Sequence, residues 1–338
     1  MPLSGRERIA IACAADAAYV RPLATMVQSV LSHHASGREI DVYVLAGRIE
    51  LSDRERLADS WRQQGAVAHW LDARDSQFAG VPLWGRMPVT TYYKLAVADL
   101  LPPEVSRALW LDCDLILLDD VSRLWDTDLG GHHVLAVQDR VVPCVSSPFG
   151  IRNWAELGIE PRAKYFNAGV MVVDVDRWRA ERVPQRVIDY LRQHHRDVFF
   201  WDQEGLNAVL AGHWGELDER WNCNVTVPGV FERTVAAGRE RDGGNDTGSD
   251  EWPWVLHYSG NLKPWLYPSR DPRRMRFFEY LDRTPWSGWR PRPTVVGYLV
   301  DFYERSGLRG VVYPAEQLGM RLIRALSHRV SGAPGQLA

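Results

Sequence analysis

Lysine is almost missing from this chain of 338 residues. Of its 40 basic residues 37 are arginine, and the three lysines are Lys94, Lys164 and Lys263. Where a planar guanidinium is used almost everywhere, a lysine hints at a place better suited to a compact ammonium. A basic surplus is missing as well. The formal net charge of -3 argues against a nucleic-acid binder, which would carry an excess of Lys and Arg. No stretch approaches the roughly 18 apolar residues of a membrane span. The early run "IAIACAADAAYV" resembles a signal-peptide core, but Asp16 interrupts it and it reads better as a first buried strand. Cysteine is sparse, and Cys13, Cys113, Cys144 and Cys223 lack metal or disulfide spacing, so they read as reduced thiols of a cytosolic protein. Phosphate-binding glycines are also absent. The first strand-to-helix turn is "CAADAAY", with neither G-x-G-x-x-G nor Walker glycines. A nucleotide bound here would need a cation to neutralise its phosphates.

What is present describes an ordinary soluble α/β protein, 46% apolar and 25% charged, long enough for one large domain or two smaller ones. Its 15 tryptophans suit either carbohydrate stacking or plain packing. "RIAIACAAD", "IDVYVLAG", "VAHWLDA" and "RALWLDCD" read as buried strands. Helices are expected at "LATMVQSVLSHH", at "SDRERLADSWRQQG" with Ser52 and Glu55 as a capping box and Gly65 as the stop, and at "VTTYYKLAVADLLP" with a Thr cap. Such alternation predicts a mostly parallel, doubly wound sheet whose ligands sit beyond the C-terminal ends of the strands. Further strands are expected at "HVLAVQD" and "NAGVMVVDV", and helices over about 183–195 and 203–211. Residues 236–252 read as an exposed polar loop, and the tail carries a basic amphipathic stretch, "GMRLIRALSHRV".

The chemistry concentrates in "LWLDCDLILLDD", where Asp112 and Asp114 end a buried strand. Three readings compete: a solvated strand end, the nucleophile and acid–base pair of a haloacid-dehalogenase-like phosphatase, or a clamp for one divalent cation. The phosphatase pattern prefers the pair on the first strand, whereas here it lies on about the fourth. The missing glycine loop favours the clamp. Far downstream, "WVLHYSGNLKPW" offers His257 at a strand end, then Gly260 for close backbone approach and Lys263 as a point charge for phosphate.

"LWLDCDLIL", "YFNAGVMVVDVDRWR", "WDQEGLN" and "HYSGNLKPW", in this order, resemble the retaining glycosyltransferases of family eight, over about residues 8–266. Within that family the chain looks most like the bacterial lipopolysaccharide α-galactosyltransferases. The resemblance implies a GT-A fold, and the chain divides into such a domain over residues 1–268 and an unmatched, mainly helical C-terminal extension over 269–338. It also implies a UDP-sugar donor, with galactose or glucose favoured, and Mn²⁺ or Mg²⁺ as cofactor. The acceptor would be a carbohydrate, glycolipid or small natural product, and the location cytoplasmic, peripheral to the inner membrane face at most. Residue by residue, Asp112, Asp114 and His257 would hold the metal, with Asp112 also near the ribose and Cys113 among the nucleotide-binding positions. Ala14, Asp16 and Tyr19 would line the uracil pocket, where Ala17 and Ala18 replace polar residues of the fuller pattern. Gly260 and Lys263 would meet the diphosphate, with Lys263 expected to be exposed and of little use to the core. Lys94 stands where the family often has Arg. Asp139, Asn167, Asp202 and Gln203 would surround the transferred sugar, with Gln203, Asp202 and Asp139 the candidate catalytic groups. Asp202 could at the same time cap its helix. A non-catalytic sugar-nucleotide binder is the remaining alternative.

Overall fold

The structure, a computed structural model, describes residues 8–83, 87–225, 253–260, 263–266 and 272–306. The expected polar loop 236–252 and the basic tail stretch lie outside the described residues. The first strand, β1 (Ile9–Ala15), and β2 (Ile40–Ala46) are buried along nearly their whole length, as strands covered on both faces must be. β3 (Ala66–Asp72) flanks β2 and is only half-buried. Between them run α1 (Val20–His33) and α2 (Leu51–Arg62). Gly65, at φ +85°, ends the second connection as expected. The Ser52 cap does not form. Ile49 is buried and draws the chain into the helix earlier, so Glu50 takes the cap position with no side-chain bond, and Ser52 falls inside the first turn.

The segment expected to be one Thr-capped helix is a 3-10 helix, Val89–Ala96, followed by the short α3 (Val97–Leu100), with Pro88 at the cap. Tyr92, Tyr93, Lys94, Leu95 and Ala96 are all buried, so this segment has no solvent face for an amphipathic α-helix to present. β4 (Arg107–Leu111) lies beside β1 and leads through a tight turn into β5 (Leu115–Leu117) and α4 (Val121–Trp125). β6 (Val134–Gln138) and β7 (Phe166–Asp174) follow, then α5 (Val175–Ala180), α6 (Val183–Gln193), α7 (Trp201–Val209), β8 (Trp214–Glu216), β9 (Cys223–Asn224) and β10 (Val255–His257).

Among the described residues the main sheet has the order β3-β2-β1-β4-β7-β6-β8, and a small sheet has the order β5-β10-β9. The main sheet is mostly parallel. Only β7 is antiparallel to both its neighbours, β4 and β6. This reversal matters for the site: Val170 pairs with Leu111, so the N-terminal end of β7 lies beside the C-terminal end of β4. The β6–β7 register jumps between Ala136–Met171 and Val137–Asn167, a bulge that leaves the backbone groups of Ala168 and Gly169 free of the β6 ladder.

The core runs continuously from the sheet into α8 (Pro272–Leu281), whose Phe277, Phe278 and Leu281 belong to the same buried cluster as Ile11 and Leu109. His33 of α1 and Tyr280 of α8 meet at 2.7 Å. α9 (Val295–Arg305) follows, with Thr294 capping the Gly297 N–H at 3.0 Å.

Candidate active site

Asp112 follows β4 directly, and its N–H donates to the Gly169 carbonyl in the bulge of β7 at 2.9 Å. The Asp112 carboxylate is held from one side. Trp110 Nε1 donates to its Oδ1 at 2.7 Å, and Lys94 Nζ stands 3.3 Å from the same oxygen. Among the described residues its Oδ2 accepts no hydrogen bond. Cys113 turns its thiol inward onto the Ala14 carbonyl at 3.2 Å, tying this turn to the end of β1. Asp114 is buried in the turn. Antiparallel pairing of His257 with Leu115 brings the imidazole alongside it, with Nε2 3.4 Å from Asp114 Oδ1. Ligand atoms of Asp112, Asp114 and His257 all lie within 4.8 Å of one another.

Two of the rare lysines offset part of the charge of this cluster. Lys94, 6% exposed, places its Nζ 2.9 Å from Asp202 and 3.1 Å from the Ala168 carbonyl as well as near Asp112. Burial alone would lower its pKa, but the two carboxylates outweigh that and hold the ammonium firmly protonated. Burial pushes the Asp202 carboxyl up, with Lys94 opposing. Lys263 is not an exposed lysine awaiting phosphate. Its ammonium is bonded to Asp114 Oδ2 and to the Tyr258 carbonyl at 2.8 Å, and its side chain is 12% exposed. A buried carboxylate needs a counter-charge, and Lys263 supplies it. Burial would raise the Asp114 pKa, but Lys263 and His257 reverse this and hold the group far below the usual carboxylate range. Three carboxylates (Asp112, Asp114, Asp202) thus share two ammoniums, which leaves a net negative cluster suited to a hard cation.

Asp139, Asn167 and Gln203 meet beside this cluster. The N-terminal end of β7 carries Asn167, whose Nδ2 donates to Asp139 Oδ2 at 3.0 Å, and Gln203 Nε2 donates to the same oxygen at 3.0 Å. Asp139 Oδ1 caps the following turn, accepting from Val141 and Val142 N–H at 2.7 and 2.9 Å. The Gln203 carbonyl accepts from Ala168 N–H at 3.2 Å, a donor that the bulge made available. Asp202 does not cap α7. Glu204 accepts from the Phe199 and Phe200 N–H groups just ahead of the helix at 2.6 and 3.1 Å, and Asp202 faces Lys94. Trp201, at φ +40°, holds a left-handed turn where the chain enters this helix.

In the first turn, Asp16 Oδ1 caps the short 3-10 turn through the Ala18 N–H at 2.9 Å, and Ala17 and Ala18 are exposed. Tyr19 packs edge-on against Trp265 at 5.5 Å, so the chain just after Lys263 reaches across to this turn. Gly260 has φ +87°, a conformation that favours glycine. The sequence-derived candidates from both distant motifs therefore share the C-terminal edge of the sheet. Sequence reasoning missed Trp110, Gly169 and Asn222. Asn222 accepts from His257 and donates to Asn167, and Gly169 leaves no room for a Cβ, which would stand 2.4 Å from His257 Cε1. The tryptophan was legible two residues before Asp112, on the same side of an extended strand.

A mostly parallel twisted sheet with an Asp-x-Asp pair and a histidine gathered at its carboxyl edge defines a GT-A glycosyltransferase. The chain belongs to glycosyl transferase family 8, whose model matches residues 10–269. It is similar to general stress protein A of Bacillus subtilis (strain 168), 29% identical over 284 residues that cover 83% of this chain and 96% of that protein. Probable galacturonosyltransferase-like 3 of Arabidopsis thaliana is 28% identical, over 76% of this chain and 74% of that protein. Among solved structures, the galactosyltransferase LgtC in complex with donor and acceptor sugar analogs superposes with a TM-score of 0.67 at 28% identity, covering 82% of this chain and 96% of LgtC. Family membership replaces the phosphatase alternative. No helix among the described residues is long and apolar enough to cross a membrane.

Proposed function

We propose that this glycosyltransferase moves a hexose, galactose or glucose, from its UDP-sugar to an acceptor hydroxyl with retention of anomeric configuration, in the cytoplasm and with the help of Mn²⁺ or Mg²⁺. The observation that carries this reading is the convergence of Asp112, Asp114 and His257 within 4.8 Å, with Asp114 already paired with the Lys263 ammonium. These three side chains would hold the divalent cation, which when bound supplies positive charge against the departing diphosphate. Lys263, exchanged from Asp114 onto the diphosphate, adds a second positive charge with Gly260 beside it. Ala14, Asp16 and Tyr19 receive the uracil, Cys113 and Asp112 follow the ribose, and Lys94 sets the orientation of Asp112 and Asp202. Asp139, Asn167, Asp202 and Gln203 surround the sugar.

Retention requires two displacements or one front-face attack. The side chains near the sugar subsite are poor candidates for a covalent nucleophile. Gln203 offers an amide oxygen already bonded to Ala168 N–H, both oxygens of Asp139 accept hydrogen bonds, and Asp202 is paired with Lys94. This favours front-face attack through a short-lived oxocarbenium ion: the anomeric C–O bond to UDP breaks, the acceptor oxygen bonds on the same face, and the leaving phosphate oxygen takes the acceptor's proton.

The test is incubation with a panel of UDP-hexoses and Mn²⁺, measuring UDP release and the product anomer by NMR, with calorimetry of UDP binding in Mn²⁺ and in EDTA. Metal-dependent release and an α-linked product are expected. Equal UDP affinity in EDTA would refute the metal clamp. Binding without turnover would leave a sugar-nucleotide binder.

A further inference from the structure

One residue outside the expected set touches both halves of the site. Asn222 ends the 3-10 turn Glu219–Asn222, immediately before β9, and β9 pairs in parallel with β10, which carries His257. Its Oδ1 stands 2.7 Å from His257 Nδ1, and its Nδ2 donates to Asn167 Oδ1 at 2.9 Å. The directions of these bonds are set from outside. Asn167 Oδ1 also accepts from the Gly169 N–H at 3.0 Å, so that atom is the carbonyl oxygen, and the Asn167 NH₂ is left to face the Asp139 carboxylate, which can only accept. The Asn222 atom toward Asn167 must then be its NH₂, and the atom toward His257 its oxygen. An oxygen acceptor at Nδ1 keeps a proton on that nitrogen, so Nε2, 3.4 Å from Asp114 Oδ1, is the nitrogen left to bond a cation.

Building on the proposed metal site, we propose that Asn222 is a positioning residue: it selects the His257 tautomer that can ligate a cation and ties that imidazole to Asn167 in the sugar subsite. Partners that fix a ligand imidazole typically change metal affinity by about 10- to 100-fold when removed. The two ends of the amide do separate jobs. Asn222→Asp keeps an acceptor for His257 but loses the donor to Asn167, whereas Asn222→Ala loses both.

Two measurements test this. In ¹⁵N-histidine-labelled protein without metal, the His257 ring shifts should report a protonated Nδ1 in the wild type. In Asn222→Ala they should report a tautomer mixture. By calorimetry in the presence of UDP, Mn²⁺ affinity should fall about 10- to 100-fold in Asn222→Ala. It should stay within about threefold of wild type in Asn222→Asp, which should instead raise KM for the UDP-hexose. Melting temperatures of the isosteric Asp variant should match wild type. Wild-type tautomer and Mn²⁺ affinity in Asn222→Ala would overturn the inference while leaving the metal site standing. An Asn222→Asp variant as defective in Mn²⁺ binding as Asn222→Ala would also overturn it. A wild type with the Nδ1–H tautomer that binds UDP without Mn²⁺ would instead refute the metal-dependent reading itself.

Discussion

Lys263 shows how much one side chain's surroundings change its meaning. As a lysine in a turn after Gly260 it reads as exposed, yet in the fold it neutralises a buried aspartate. Removing it therefore has two consequences. Lys263→Ala should cut the transfer rate by about 100-fold, roughly 2.7 kcal/mol of barrier, because a charge on the leaving diphosphate is lost. In EDTA the same variant should also melt lower than wild type, since an uncompensated buried carboxylate is costly, and Mn²⁺ should restore most of that difference. A melting point unchanged in EDTA would mean that Asp114 does not depend on the lysine. Gln203 is the opposite case, a residue whose position suggests a nucleophile and whose bonds argue against it. Gln203→Ala should retain measurable transfer with the anomer unchanged. A glycosyl adduct on Gln203, found by mass spectrometry of the wild type, would reverse that view.

At the scale of elements, the bulge in β7 is the decisive feature. It frees the backbone of Ala168 for Lys94 and Gln203, while Gly169 carries the β4 ladder on to the Asp112 N–H and makes room for the His257 ring. Gly169→Ala should displace that ring, cost about 1–3 kcal/mol in stability by overpacking, and weaken Mn²⁺ binding by calorimetry. Unchanged Mn²⁺ affinity would show that the ring has another place to go. The contact between α1 and α8 has its own pH signature. Burial lowers the pKa of His33, with Asp119 opposing and Arg283 assisting. The unfolded chain then binds a proton near its ordinary value of about 6.5 that the folded protein takes up only at lower pH. Stability from this site is complete above about pH 6.5 and is lost as pH falls below it. Urea midpoints should drop between about pH 8 and pH 5.5, and His33→Gln should flatten that drop; an equal drop in the variant would assign it to other groups.

Across the whole molecule, the parts legible in the sequence are those whose signal is local. Buried strands announce themselves as apolar runs, Gly65 as a helix stop, and Asp112 and Asp114 as acids that follow β4, because the causes lie within a few residues. His257 and Lys263 were legible through a motif whose order along the chain is unmistakable. The reversed direction of β7, its bulge and the pairing of Lys263 with Asp114 leave no such trace, since each depends on which distant backbone or charge lies alongside. Asn222 is the clearest instance: an asparagine in a turn has no periodicity to read, and its role exists only because β9 lies beside β10. The sheet class, the metal-capable residue types and the missing phosphate loop are written in short stretches of the chain. Which donor meets which acceptor is set by the fold, because hydrogen-bond direction and charge compensation are settled between segments far apart in the chain.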